Sequence, residues 1–279
     1  MDRHKLCLNF RLEWISTFIN KMRYRYTFFF LAVVLIIATG CYSDFFDYPD
    51  TLTMLAKIDK CEFDYNKVLE EDPENFFAVL CRGKAFYKEG NYSQAVSDFT
   101  KAIEIDKRSF HAYFYRGTSY GIKGLYDLAI SDFTKAIEIY PTSVRTYSNR
   151  GRAYACNGQY DMAIFELTKC IELSPKNAIH YSNLAWILAT CPDAKYRDGR
   201  EAVDLAKKAL SITSDSCGLD SLAAAYAEIG KYQEAVKIQE QCIYQLESEG
   251  EKGRLDELNK RLKQYKNNKP WREYQCLQF

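Results

Sequence analysis

Ten cysteines and three histidines are the residues of this 279-residue chain whose spacing would decide most about its chemistry. A structural zinc site needs paired Cys or His ligands a few residues apart. No Cys-x-x-Cys or Cys/His pair of that kind occurs, and His4, His111 and His180 stand far apart. Cys191 and Cys217 are the one pair that an oxidising compartment could join, pinning the loop between them. Adjacent acids such as Glu70 and Glu71 fall at helix ends or on solvated faces rather than as a catalytic dyad. No glycine-rich phosphate loop, His-Glu-x-x-His or Gly-x-Ser-x-Gly run is present. The sequence therefore points to a non-enzyme with no metal and no cofactor.

The elements that would carry a binding face are periodic. From Phe110 to Ser143, Gly117, Tyr120, Gly124, Tyr126, Ala129, Phe133, Ala136 and Pro141 occupy places 8, 11, 15, 17, 20, 24, 27 and 32 of a 34-residue unit. Shifted back by 34, the frame meets Gly83, Phe86, Gly90, Tyr92, Ala95, Phe99 and Ala102; shifted forward, it meets Gly151, Tyr154, Gly158, Tyr160, Ala163, Leu167, Cys170 and Pro175. Each unit reads as two helices of apolar spacing broken by Gly near the middle. Gly at place 8 lets the second helix approach the first, and Gly124 suits a left-handed residue ending a helix. Asp127 then places an acid where the helix dipole favours one. One such hairpin cannot bury its own apolar face, so several must stack.

This pattern resembles the tetratricopeptide repeat. The resemblance implies an all-α fold, a right-handed superhelical solenoid of helix-turn-helix repeats with a C-terminal capping helix. Units are read at 76–109, 110–143, 144–177, 178–215 (with an insertion of about five residues before Ala202) and 216–249. Residues 41–75 form a tether and a degenerate repeat, because Pro49 falls at place 8 and only the second helix, around Cys61, Tyr65 and Val68, is credible. Cys61, Cys170 and Cys242 take places that call for a small buried residue, where a free thiol behaves as a hydrophobe. Residues 250–279 are a capping helix, with Leu255, Leu258, Leu262 and Tyr265 on one stripe, and an aromatic tail that either folds back or serves as a partner motif.

Residues 1–40 read as a leader or signal peptide: Lys21, Arg23 and Arg25 precede the apolar run 28–38, with Met22 as an alternative start. Ala38-Thr39-Gly40-Cys41 resembles a bacterial lipobox, with Ala38 where Leu is usual, which implies lipidation of Cys41. The residue after it, Tyr42, is not acidic, which favours the outer membrane of a bacterial cell envelope. A single N-terminal transmembrane anchor is the other reading, although eleven apolar residues fall short of the roughly 20 that a bilayer needs. The net charge of +1, with the basic excess in the leader, gives no case for nucleic acid.

In the repeat family the first helices line a groove for a peptide or helix. Carried over by place, that implies Phe77, Leu80, Lys84, Tyr87 and Lys88, then His111, Phe114, Thr118 and Ile122. Arg145, Ser148, Asn149 and Arg152 follow, and then Ile179, Ser182 and Trp186. The middle is basic and suits an acidic or carboxyl-terminal segment. The family's two-carboxylate clamp is not matched, because Ser148 and Arg152 stand at its Lys and Asn places. Arg82, Arg116 and Arg150 recur at place 7 and are expected to pack along the repeat edge. The function implied is a membrane-tethered protein-interaction scaffold. Alternatives are an accessory subunit delivering substrates to an envelope enzyme or protease, or a cytosolic adaptor if the leader is spurious.

Overall fold

The computed structural model describes residue 61 and residues 64–251 and 253–272. The leader with Met22, Cys41, Pro49 and the end of the tail lie outside these residues. Among the described residues every regular element is helical. A short helix α1 (Tyr65–Glu71) precedes five pairs: α2 (Phe76–Lys88) with α3 (Tyr92–Ile105), α4 (Phe110–Ile122) with α5 (Tyr126–Ile139), α6 (Val144–Cys156) with α7 (Tyr160–Leu173), α8 (Ala178–Thr190) with α9 (Gly199–Ile212), and α10 (Ser216–Glu228) with α11 (Tyr232–Ser248). Helix α12 (Leu255–Lys266) follows. None is long and apolar enough to cross a membrane.

The two helices of a pair begin differently. First helices start on a side-chain cap: Asn75, Ser109 and Ser143 accept from the backbone N–H three residues on, satisfying a donor the helix cannot. Helices α3, α5, α7 and α11 have no such cap. They emerge from a tight turn instead: Gly124 sits at φ +75°, and the Leu125 N–H donates to the Tyr120 carbonyl at 2.9 Å. That bond satisfies a carbonyl at the end of α4 while turning the chain. The pair can then close because Gly83 has no side chain; a Cβ there would lie 2.7 Å from Phe99 Cε1. Ala95, Ala129 and Ala163 are fully buried beside Phe99, Phe133 and Leu167, so the small and large places of the repeat interlock.

A polar ladder ties the first three pairs together. Arg82 donates to Asp98 through Nε and Nη2 at 2.8 and 2.7 Å, and Arg116 does the same to Asp132. Arg116 and Arg150 also reach back to Thr100 and Thr134 on the preceding second helix, at 3.1 and 3.0 Å. Arg150 meets Glu166 by one bond of 2.7 Å, and the longer acid leaves Arg150 Nε and Glu166 Oε2 buried without a hydrogen bond. The arginines thus lie along the repeat edge, and Arg116 and Arg150 each hold a first helix against two second helices.

Several expectations need correction. Cys61 lies in a turn at φ +57°, and helix begins only at Tyr65, where Asp64 caps the N–H groups of Asn66 and Lys67. Cys61, expected as a free thiol, is disulfide-bonded, as are Cys81 and Cys156. Cys170 and Cys242 are buried free thiols, pushed up to about 12 by burial. The Cys191–Cys217 bridge is not formed: both are free. Cys191 is enclosed at the end of α8, whereas Cys217 Sγ accepts from Arg254 Nη1 at 3.5 Å. The insertion before α9 is held instead by Arg197, which donates to the Cys191 and Pro192 carbonyls and pairs with Glu228 of the next unit.

Candidate functional site

Neighbouring first helices touch one another along α2, α4 and α6, and again between α8 and α10, so their side chains build one face of each stretch. On α2, α4 and α6 that face is cationic and aromatic. Lys84 Nζ lies over the Tyr115 ring at 5.6 Å, and the Tyr87 ring meets Tyr115 edge-on at 5.6 Å. The Arg145 guanidinium covers Phe114 at 4.9 Å, a distance at which the ring quadrupole attracts a cation. Burial raises the Tyr87 hydroxyl, reinforced by Tyr92 and Tyr115, while Arg145 and Arg152 act against it. Both guanidinium charges act on it from α6, two first helices along. Burial also lowers Arg152, a sign that its charge sits in a partly dehydrated place.

The residues expected to line the groove divide into two groups. Lys88, His111 and Arg145 are exposed, and Lys84, Tyr87, Ser148 and Arg152 are half-buried. His111 has its ring against Phe110. Phe114, Thr118 and Asn149 are buried and belong to the packing between units: Thr118 Oγ1 donates to the Phe114 carbonyl and receives Asn149 Nδ2 at 3.5 Å. Ser182 is likewise buried.

Trp186 is the larger correction. It is only 5% exposed, with Arg261 of α12 over its ring at 4.6 Å and the same guanidinium 5.5 Å from the Trp271 ring. The aromatic tail folds back, as far as residue 272, onto α8 and α10. Sequence reasoning missed Arg261, because an Arg on an amphipathic helix reads as solvated. It missed the acids of the ladder too, although their sixteen-residue spacing from place 7 repeats in three units.

Family models support this architecture. Tetratricopeptide-repeat models match residues 110–143, 133–165 and 218–244, and a TPR-repeat model matches 83–124. A search of curated proteins by sequence finds no match. Among solved structures, MamA is similar over 65% of this chain and 97% of its own, at 21% identity and a TM-score of 0.54. YrrB, described as a TPR protein with an unusual peptide-binding site, is 18% identical over 65% of this chain and 91% of its own, at a TM-score of 0.53. A thermophilic TPR protein of Thermus thermophilus is 18% identical over 68% of this chain and 97% of its own, at a TM-score of 0.53. At these identities the likeness is one of fold.

Proposed function

Starting from the fact that this chain is a tetratricopeptide-repeat protein, a fold suited to protein–protein interaction scaffolds, we propose that it binds an acidic segment of a partner protein across the first helices of its first three full repeats. The observation that carries this reading is the cation–aromatic cluster spanning α2, α4 and α6, with Lys84 over Tyr115, Tyr87 against Tyr115 and Arg145 over Phe114, to which Arg152 adds its charge from α6. Fixed aromatic rings hold the cations in place, so less side-chain entropy is lost when a carboxylate docks. Recognition here is electrostatic and planar, without a nucleophile. The partner recovered from detergent-solubilised membranes should be lost on Arg145→Glu with Lys88→Glu, two exposed positions whose reversal leaves the core alone. Unchanged recovery at low and physiological salt would remove the proposal.

The scaffold is proposed to be tethered to a membrane, with the outer membrane of a bacterial envelope favoured, through a lipid on Cys41. This rests on the basic–apolar–small order of residues 21–41. Fractionation of wild type and Cys41→Ala with a lipid label tests it: label and membrane association that survive the substitution would rule it out.

A further inference from the structure

We infer that the first-helix face of the last two repeats is a second recognition site, specific for a basic–aromatic segment, whose ligand in this structure is the chain's own Lys269–Arg272. The segment leaves α12 sharply: Asn268 is left-handed at φ +54°, and the Lys269 N–H donates to the Gln264 carbonyl at 3.0 Å. It then crosses back to α8 and α10, with Arg272 reaching a carbonyl 83 residues earlier in the chain. Trp271 is 4% exposed there, against the Arg261 guanidinium that also covers Trp186. Arg272 donates to the Ala189 carbonyl at 3.3 Å and forms an ion pair with Glu228.

Glu228 is the carboxylate that meets the segment, although Arg197 also donates to it, while Asp220 is already taken by Arg261 and Arg254. The segment's contacts are those of a guest rather than of a helix pair. One ion pair, one long hydrogen bond, the Arg261 guanidinium over the Trp271 ring and burial of that ring in the apolar cluster hold it, and the indole nitrogens of Trp186 and Trp271 are buried without a hydrogen bond among the described residues. Buried polar atoms are normally paired, so this junction is fastened by shape and charge more than by hydrogen bonds. A contact of that kind can open and be retaken by the same chemistry in trans. The site is separate from the proposed acidic-segment face and does not rest on it.

The test uses a labelled peptide of residues 267–279 with Cys276→Ser, titrated onto the full chain carrying Trp271→Ala and Arg272→Ala. Saturable binding is expected, about tenfold or more weaker to wild type, where the intramolecular segment leaves only a fraction of seats open. Glu228→Gln in the receptor should weaken it, and Arg145→Glu should not. No saturable binding by a variant of native helical content, or binding indifferent to Glu228→Gln, would overturn the inference. If the double substitution disturbs helical content, Arg272→Glu alone, which ejects the segment by charge, takes its place with the same outcomes.

Discussion

Replacing Arg116 by Met tests whether the polar ladder holds the repeats or merely decorates them. The Asp132 side chain is 6% exposed and receives two bonds of 2.8 and 2.7 Å from Arg116. Removing the arginine leaves two outcomes for that carboxyl. It can remain ionised and unpaired, and breaking a buried pair from one side costs about 3–5 kcal/mol. Or it can take up a proton, which at pH 7 costs about 4 kcal/mol from an ordinary carboxyl pKa. Arg116 is itself 17% exposed, so water enters the vacated space and the lower figure, about 3 kcal/mol, is expected. Asp132→Leu together with Arg116→Met removes both charges and should return to within about 1 kcal/mol of wild type.

The pH dependence carries a second signature. Burial already raises the Asp132 carboxyl, and Arg116 pulls it back. Without Arg116 the folded-state pKa rises further above the unfolded value. Stability of the single variant then falls as pH rises through that window, and its deficit against wild type shrinks on acidification. Urea unfolding followed by circular dichroism, with the slope checked for constancy, reads both effects. A double variant that costs the sum of the singles, or a deficit independent of pH, would refute the reasoning.

Two further outcomes follow from burial. Ala129→Leu adds a side chain at a fully buried place against the interlocked core and should cost about 1–3 kcal/mol, measured by the same unfolding curves. His180 is 4% exposed with neither ring nitrogen hydrogen-bonded among the described residues, and burial lowers its pKa. It is folded neutral while the unfolded chain protonates near the ordinary value of about 6.5, so stability is expected to fall as pH drops below that value. His180→Leu should flatten this part of a melting-temperature profile; an unchanged slope would assign it elsewhere.

The repeat was legible because backbone sterics demand the same residue at the same place. Gly83 and Gly124 answer to a close approach and a left-handed turn, and Ala129 to a neighbour's ring. Such demands are local and recur every 34 residues. The proposed binding face was less legible because its lining depends on depth and on remote chain. Thr118 and Asn149 are short enough to pair with each other across two helices, and so they sink into the packing. Trp186 stands at a lining place, yet what covers it comes from the far end of the sequence. Arg145 remains exposed on the face because a long side chain keeps its head near water while its stem packs, whereas Arg152 is half-buried.

The ladder stops after the third full repeat, and a different buried charge replaces it. Place 7 holds Leu184 and Leu222 in the last two repeats, and the buried charge moves to Asp220, paired with Arg261 at 2.6 Å. Gln239, at the place where the first three full repeats carry Phe or Leu, turns its amide to Asp220 at 3.2 Å, and Arg254 approaches at 3.4 Å. Arg261 also lies within cation–π distance of two indoles, so its contact with the rings and its charge are both in use. A lysine supplies the charge as a point and neither stacks as a plane nor forks. Arg261→Lys is therefore expected to lose nearly as much as Arg261→Met, about 3 kcal/mol, because Gln239 and Arg254 retain a hold on Asp220. The loss should be confined to α8 and α10–α12, since Arg261 touches Trp186 and repeat arrays couple to their nearest neighbours. Amide exchange resolves both points: full protection of α11 and α12 in Arg261→Lys, or deprotection spreading equally into α2–α5, would show that charge alone, or the whole array, governs this end of the molecule.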